Sequence, residues 1–283
     1  MNISRIAILR YIFLPILRFT AMDIKIRHPY VHETTLSLNS FKHKGYWYFR
    51  KNREKNTMNL FSLLIKPNAH VVEVGGHIGF ISIFFMKLVG SGGTLTVFEP
   101  GANNLPYIKR NIQSAKATGA TATIIEKAVG DRIGNVTFFE ESLTGQNNSV
   151  IKNFKGLEHN SKIAFSKAEI VSRTVPMTTL DITLKDRPVD FIKIDVEGFE
   201  KYVLLGAQET INRYKPILMV EVQADEGDIF NFFRDNDWLL FSDKGMSLSS
   251  PAELKDNVFA LHKVAHAEVI SSVLRPASQT SGY

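Results

Sequence analysis

Short apolar runs alternate with helical stretches from His70 almost to the end of the chain. The run at residues 70–74 ends at Gly75-Gly76, and residues 78–88 then predict an apolar helix that closes at Gly90. The alternation predicts further strands at residues 94–98, 121–125, 189–195, 216–221, 238–241 and 258–261, and helices through residues 107–112, 203–211 and 228–234. Asn103 or Asn104 is the expected N-terminal cap of the helix through residues 107–112.

This alternation indicates an α/β fold. Parallel strands need crossover connections, so a mainly parallel sheet with helices on both faces is expected. The last two strands lie too close in sequence for a long crossover, which favours an antiparallel final strand. We therefore predict a Rossmann-like sheet of seven strands. An added antiparallel strand is expected at residues 136–139, and a long loop near the substrate at residues 142–168.

The length allows one large domain and an appendage, or at most two small domains. We predict a domain at residues 60–270, an N-terminal basic and aromatic extension at residues 1–59, and a tail at residues 271–283. Arg10 and Arg18 bracket only seven uncharged residues, too few to cross a bilayer. Because no small-residue cleavage site follows this stretch, export is not expected and we predict a cytoplasmic protein.

Net charge is unevenly distributed. Residues 1–59 contain 11 Lys and Arg against 3 Asp and Glu, a net charge of +8, whereas the remaining residues contain 23 against 25, a net charge of −2. A slightly acidic core argues against a broad nucleic-acid-binding face. Basic residues also flank the aromatic run 46–49. This pattern leaves three interpretations open: plain packing, a lid over the acceptor, or contact with a membrane surface.

Composition narrows the chemistry further. Hydrophobic residues make up 44% of the chain and charged residues 22%, which excludes bulk disorder and a protein with many membrane spans. The chain has no cysteine, so a disulfide framework, a thiolate zinc site and a cysteine nucleophile are all excluded.

The turn after the first core strand is the first candidate binding site, since ligands of such sheets bind beyond the carboxyl ends of the strands. Gly75 and Gly79 allow a sharp turn and a close approach to the following helix, with Gly76 and His77 between them. Glu73 is a carboxylate within an apolar strand, and its burial is costly unless a cation compensates it. A sulfonium ligand with an α-ammonium group would supply that cation.

A second acidic residue strengthens this interpretation. Glu99, followed by Pro100, ends the second strand twenty residues after Gly79, where an acidic side chain can bind ribose hydroxyls. The glycine spacing does not match the dinucleotide fingerprint, and no Lys-Ser/Thr follows to make a phosphate loop. The alternative is a structural glycine turn with a surface glutamate. His77 is expected to neighbour the ligand rather than act as a base.

Three carboxylates are candidates for catalysis. Asp195 ends the fourth parallel strand, Glu197 would share its face if the chain stayed extended, and Glu221 ends the fifth strand. Such carboxylates can hold a hydroxyl or accept its proton. Alternatively, Glu197 and Glu200 cap the next helix and Glu221 pairs with a lysine. No loop has a recognised metal-ligand spacing, so no metal ligand is assigned, and a carboxylate-rich magnesium or calcium site stays open as an alternative.

Several motifs together resemble the FkbM family of S-adenosylmethionine-dependent methyltransferases. The likeness covers about residues 60–225 and rests on these segments: residues 73–80, Phe98-Glu99-Pro100 with Asn111 downstream, Thr179-Leu180-Asp181, and Ile192-Lys193-Ile194-Asp195-Val196-Glu197-Gly198-Phe199-Glu200 running into Leu205-Gly206-Ala207. Gly76-His77 departs from the Ala-Asn that the family often has, and the extension at residues 1–59 has no recognised counterpart.

The resemblance implies that the chain binds S-adenosylmethionine and methylates a hydroxyl of a sugar, a glycan or a secondary metabolite. It also implies that Ala128 and Val129 border the adenine. Two other functions remain open. An NAD-type oxidoreductase is disfavoured by the glycine spacing, and a non-catalytic binding module at a membrane surface would act through residues 1–59.

Overall fold

The computed structural model describes residues 14–152 and 169–273. Most of the apolar stretch at residues 6–17, most of the loop expected at residues 142–168, and the end of the expected tail lie outside these ranges. The strands are β1 (Asp23–Arg27), β2 (Thr35–Asn39), β3 (His70–Val74), β4 (Thr94–Phe98), β5 (Thr121–Ile125), β6 (Ala128–Val129), β7 (Gly134–Glu141), β8 (Ile170–Thr178), β9 (Phe191–Ile194), β10 (Ile217–Val222), β11 (Trp238–Ser242), β12 (Ser247–Leu248) and β13 (Asp256–His262). The main helices are α1 (Lys44–Phe49), α2 (Lys55–Leu64), α3 (Phe80–Val89), α4 (Leu105–Ser114), α5 (Leu180–Leu184), α6 (Glu200–Leu205), α7 (Gln208–Tyr214), α8 (Glu226–Arg234) and α9 (Ala267–Val273).

The central sheet has the strand order β12-β11-β13-β10-β9-β3-β4-β5. The five strands from β10 to β5 run parallel, whereas β13 lies antiparallel between β10 and β11. This arrangement confirms the predicted α/β class, the mainly parallel sheet and the antiparallel final strand. The sheet has eight strands rather than seven because β12 adds a short antiparallel edge to β11.

Alternate residues of the central strands face opposite helical layers. Val71 and Phe191 pack in one hydrophobic cluster with side chains of α2, α3 and α4, whereas Val72 and Ile192 pack in a second cluster with α5 to α8. Strand side chains repeat every second residue. Three polar positions therefore belong to the face of Val71 and Phe191: Glu73, Lys193 and Glu221.

Residues before β3 pack directly on that face. Strands β1 and β2 form an antiparallel hairpin, and Leu36 and Leu38 share the first cluster with Ile78. Asn111 of α4 joins the two parts, because its amide group bonds both the N–H and the carbonyl of Ser37 and also the carbonyl of Ile78. The hairpin is thus held against the glycine turn by hydrogen bonds and by a common core.

A second, three-stranded sheet has the order β6-β8-β7. Strand β7 is antiparallel to β8, as expected for the added strand at residues 136–139. Strand β8 was not predicted, because most of its side chains are exposed and its sequence lacks a regular apolar alternation. No helix within residues 14–152 and 169–273 is long and apolar enough to cross a membrane.

One local prediction was wrong, and a second, the Asn104 cap, was right in its position but not in its hydrogen bonding. The helix expected through residues 203–211 is divided into α6 and α7 around Gly206, where a Cβ atom would lie 1.9 Å from the carbonyl oxygen of Gly130. Asn104 precedes α4 but makes no side-chain cap. Its amide group instead donates to the carbonyl of Gly145 (3.0 Å) and to Glu99 (3.3 Å), so it tethers a loop.

Candidate active site

A cavity of about 510 Å³ opens at the carboxyl ends of β3, β4, β9 and β10, a size typical of a small-molecule site. Eleven of the twelve predicted site residues line it: Glu73, Gly75, Gly76, His77, Glu99, Pro100, Ala128, Val129, Asp195, Glu197 and Glu221. The exception is Gly79, which precedes α3 with a φ of 83° and lies against Ile108.

The glycine turn is shaped by neighbouring backbone as well as by its own dihedral angles. Gly75 has a φ of 87°, and a Cβ atom there would lie 1.8 Å from the carbonyl oxygen of Asp195. A Cβ atom at Gly76 would lie 2.4 Å from a methyl carbon of Val97. The space beside both glycines is therefore occupied by protein, and the turn brings β3 close to the chain that follows β9.

Glu99 is buried beneath this turn. Its carboxylate accepts the N–H groups of His77 (2.7 Å) and Gly101 (2.8 Å) and the amide of Asn104 (3.3 Å). Burial raises the pKa of Glu99 to about 7, although these hydrogen bonds favour the ionised form. A carboxylate offers about four acceptor positions, so capacity for one more hydroxyl donor is left at Glu99.

Glu73 faces a lysine across the sheet. The two residues are register partners in β3 and β9, and Lys193 Nζ lies 3.7 Å from Glu73 Oε1. The Ser82 hydroxyl also donates to Glu73. Burial raises the pKa of Glu73 to about 7, with Lys193 opposing that effect. Lys193 is thus a cation within the protein that compensates Glu73, a role that sequence analysis had given to the ligand.

Lys193 also holds Asp195. Its Nζ donates to Asp195 Oδ2 (3.0 Å) and to the carbonyl oxygen of Gly75 (3.2 Å). Burial alone would raise the pKa of Asp195, but Lys193 and a hydrogen bond with Glu221 lower it below the usual value. Asp195 is therefore ionised, and with 29% of its side chain exposed it can be reached from the cavity.

Three carboxylates converge on this wall. Oxygens of Asp195, Glu197 and Glu221 lie within 4.8 Å of one another, a spacing that a divalent cation could also use. The charge of Asp195 raises the pKa of Glu221, which therefore carries a proton and bonds Asp195. Burial, followed by the charge of Asp195, raises the pKa of Glu197 well above its usual range. The group thus combines three different carboxyl groups. Asp195 is ionised, Glu221 is protonated, and Glu197 has a pKa above that of an ordinary glutamate.

The backbone conformation that brings Glu197 to this group differs from the extended chain that was expected. Strand β9 ends at Ile194, and Glu197 has a φ of 56°, so the chain does not stay extended. Its carboxylate accepts from the amide of Gln223 (3.1 Å), whereas Glu200 accepts the N–H groups of Gly198 (2.9 Å) and Val196 (3.3 Å). Of the two glutamates considered as caps, only Glu200 satisfies backbone N–H groups at the helix start.

His77 connects three segments around the cavity. Its Nε2 faces the carbonyl of Thr144 (3.3 Å), so Nε2 carries the proton and Nδ1 accepts from the Tyr46 hydroxyl (2.9 Å). Gln146 in turn donates to that hydroxyl (3.3 Å). Burial lowers the pKa of His77 to about 4, so the ring is neutral. This network joins α1, the glycine turn and the loop after β7.

Among the cavity-wall residues that sequence analysis did not select are Lys193, Tyr46 and Arg53. Lys193 had a usable signal, since it is a charged side chain within a four-residue buried strand. Tyr46 and Arg53 had none, because no periodicity in residues 44–53 indicates which of the basic and aromatic side chains turn inward. Only Tyr46 of the aromatic run lines the cavity, while Tyr48 and Phe49 are exposed.

Comparison with known proteins agrees with this architecture. Residues 73–247 match the family model described as the methyltransferase FkbM domain. The chain is 25% identical over 175 residues to "Methyltransferase 1" of Beauveria bassiana (strain ARSEF 2860), which covers 57% of this chain and 67% of that protein.

Solved structures are more distant. The methyltransferase FkbM of Methylobacillus flagellatus KT is 18% identical with a TM-score of 0.45, and the match covers 69% of this chain but only 44% of that one. The O-methyltransferase of Bacillus cereus, solved in complex with SAH, is 12% identical with a TM-score of 0.40 and coverages of 75% and 81%. Because the family model spans more than half of the sequence, the chain belongs to the FkbM family of S-adenosylmethionine-dependent methyltransferases.

Proposed function

We propose that this methyltransferase transfers the methyl group of S-adenosylmethionine to a hydroxyl oxygen of a sugar, a glycan or a secondary metabolite. The observation that carries the proposal is the convergence of Asp195, Glu197 and Glu221 on the cavity wall beside the glycine turn. Carboxylates there can orient a hydroxyl and accept its proton, whereas a slightly acidic core is a poor surface for nucleic acid.

The cavity residues fit the cofactor in the proposed arrangement. Glu99 accepts a hydrogen bond from a ribose hydroxyl, and Ala128, Val129 and Pro100 border the adenine. The turn from Gly75 to Gly79 holds the amino-acid end of the cofactor above Glu73. Bound S-adenosylmethionine would supply an electrophilic sulfonium methyl group for transfer to the acceptor oxygen, with S-adenosylhomocysteine as the leaving group.

The three carboxyl groups have different roles in this proposal. Asp195 is ionised and increases the basicity of Glu197, whose carboxylate accepts the hydrogen bond of the acceptor hydroxyl and fixes the oxygen in an attacking geometry. Glu197 has the raised pKa that suits a general base, and it takes the hydroxyl proton. Glu221 is protonated, so it holds Asp195 by a hydrogen bond rather than accepting a proton.

The first test is calorimetric binding of S-adenosylmethionine, S-adenosylhomocysteine and NAD to the purified protein and to Glu99→Ala. Glu126→Ala is the matched control, since Glu126 is an exposed glutamate at the end of β5. We expect micromolar binding of the first two ligands that only Glu99→Ala loses, followed by labelled methyl transfer in a screen of hydroxylated glycans and metabolites. A folded protein that binds neither ligand contradicts the proposal.

The domain organisation is part of the same proposal. In it the catalytic domain comprises residues 60–270 and the described residues before it form a lid through Tyr46 and Arg53, although α2 and α9 continue across the two predicted boundaries. The double variant Tyr46→Phe, Arg53→Gln tests the lid: we expect a folded protein, as checked by thermal unfolding, that loses acceptor methylation because the Tyr46 hydroxyl and the Arg53 guanidinium group are removed from the cavity wall.

Membrane contact is a second proposal, carried by a separate observation. Ile16, Phe19 and Met22 are exposed by 55%, 93% and 62% within a segment of net charge +8. Exposed apolar side chains among basic residues suit an anionic lipid surface. We expect co-sedimentation with vesicles that contain phosphatidylserine, less with neutral vesicles, and a loss on Phe19→Glu. Equal behaviour of wild type and variant contradicts this role.

A further inference from the structure

Arg53 lies in the cavity wall with unused hydrogen-bonding capacity. Its guanidinium group stacks over the Tyr46 ring, 4.4 Å from the ring centre. The buried Nε atom lies 3.3 Å from a carboxylate oxygen of Glu54, close enough for an ion pair, yet it has no hydrogen-bond partner among the described residues. A buried donor without a partner is costly, so this atom points to a missing acceptor.

The guanidinium group keeps its charge in this position. Burial alone would lower the pKa of Arg53, but Tyr46, Glu54 and Asp195 raise it above the usual value. The other two lysine or arginine side chains of the cavity wall are differently placed. Lys193 is already bonded to Asp195 and to the carbonyl of Gly75, and Lys127 adjoins the strand of Ala128.

The position of Arg53 along the sheet edge indicates which part of a ligand it meets. In the order β5-β4-β3-β9, Ala128 follows β5, Glu99 follows β4, and Asp195 follows β9. Arg53 stacks on Tyr46, whose hydroxyl bonds His77 after β3, and it lines the same cavity as Asp195 after β9. Arg53 therefore lies beyond the ribose position, on the side away from the adenine position.

We propose that Arg53 binds the α-carboxylate of the methyl donor. This inference rests on the proposed function, in which adenosine lies at β4 and β5 and the amino-acid end lies over the glycine turn. S-adenosylmethionine has a single carboxylate, and a guanidinium fork matches that group with two parallel hydrogen bonds. Stacking on Tyr46 restrains the fork before the ligand arrives, which lowers the entropy lost on binding.

The assignment gives the N-terminal region a role in donor binding. Arg53 precedes β3 and lies outside the residues that match the family model. Tyr46 positions Arg53 by stacking and contacts the glycine turn through His77. The carboxylate is thus held by the lid, and the adenosine is held by the sheet.

The test pairs a change in the protein with a change in the ligand. Calorimetry compares S-adenosylhomocysteine with its decarboxylated analogue, which keeps the adenosine, the sulfur and the amine, on wild type, Arg53→Gln and Arg53→Lys. Lys51→Gln is the matched control because Lys51 is exposed two residues away. Thermal unfolding of each variant checks that it is folded.

We expect wild type to bind S-adenosylhomocysteine about 10- to 100-fold more tightly than the analogue, as for a charged hydrogen bond. Arg53→Gln should abolish this preference by weakening only the carboxylate ligand, Arg53→Lys should keep part of it, and Lys51→Gln should keep all of it. Equal affinity of wild type for both ligands, or equal effects of Arg53→Gln on both, overturns the assignment but not the proposed function. A wild type that binds neither ligand overturns the proposed function itself.

Discussion

Glu73 and Lys193 lie directly opposite one another on adjacent parallel strands, and both are almost completely buried. Lys193 then donates to Asp195 at the cavity wall and to the carbonyl oxygen of Gly75 in the glycine turn. One buried ammonium group therefore holds together the two motifs from which the site is built. The arrangement explains why a lysine occurs in an otherwise apolar strand.

Replacing Lys193 with methionine should destabilise the fold. The change leaves the Glu73 carboxylate buried without its cation, and breaking a buried pair costs about 3–5 kcal/mol. Chemical denaturation of Lys193→Met measures the free energy of unfolding. The control is Lys201→Met, which breaks an exposed ion pair with Asp228 and should have little effect on that free energy. Adding Glu73→Gln should restore part of the loss. An unchanged midpoint for Lys193→Met contradicts the role of the ammonium group.

A methyl group at Gly75 should not be tolerated. Alanine there combines a left-handed φ of 87° with a Cβ atom 1.8 Å from the Asp195 carbonyl oxygen, so we expect a loss of about 3 kcal/mol or more. Gly90→Ala is the matched control, because Gly90 has a φ of 65° but open space around it, and strain alone costs about 1–2 kcal/mol. Similar unfolding midpoints for the two variants would show that the contact with Asp195 is relaxed.

The pH dependence of methyl transfer should report Glu197. A general base must be deprotonated, so kcat/KM should rise with pH as Glu197 loses its proton. Because its pKa is raised well above the usual glutamate range by burial and by Asp195, the rise should occur at a higher pH than for an ordinary carboxylate. The pH dependence of kcat/KM is measured from initial rates of wild type and Glu197→Gln over a range of pH. A variant with the same profile and rate as wild type rules out Glu197 as the base.

Asn111→Ala should loosen the N-terminal hairpin. The substitution removes the acceptor of the Ser37 N–H and the donor to the Ser37 and Ile78 carbonyls, and each buried group left unpaired costs about 1–3 kcal/mol. Hydrogen exchange should therefore increase in β2 and in the glycine turn. Gln113→Ala is the control, since Gln113 lies on the exposed face of the same helix. Protection that is unchanged in Asn111→Ala contradicts this bridging role.

The order of strands and helices could be read from local patterns. A buried strand needs a continuous apolar run and a helix needs a 3.6-residue period, and both signals are strong from His70 to Leu261 except in residues 142–178. The antiparallel final strand followed from the short connection before β13. Strand β8 was missed because it lies mostly exposed, and the division of α6 from α7 was missed because it depends on the approach of Gly130 to Gly206, which is remote in sequence.

Sequence alone determined which carboxylates and glycines follow the central strands, because the carboxyl ends of parallel strands meet at one edge of a sheet. It could not determine how those groups are charged. That depends on Lys193 lying opposite Glu73 and on Asp195 reaching Glu221, and both contacts are set by strand register. Nor could it show that Tyr46 and Arg53 complete the cavity. Their positions result from packing of the N-terminal hairpin and helices on the sheet, a long-range contact that leaves no local pattern in the sequence.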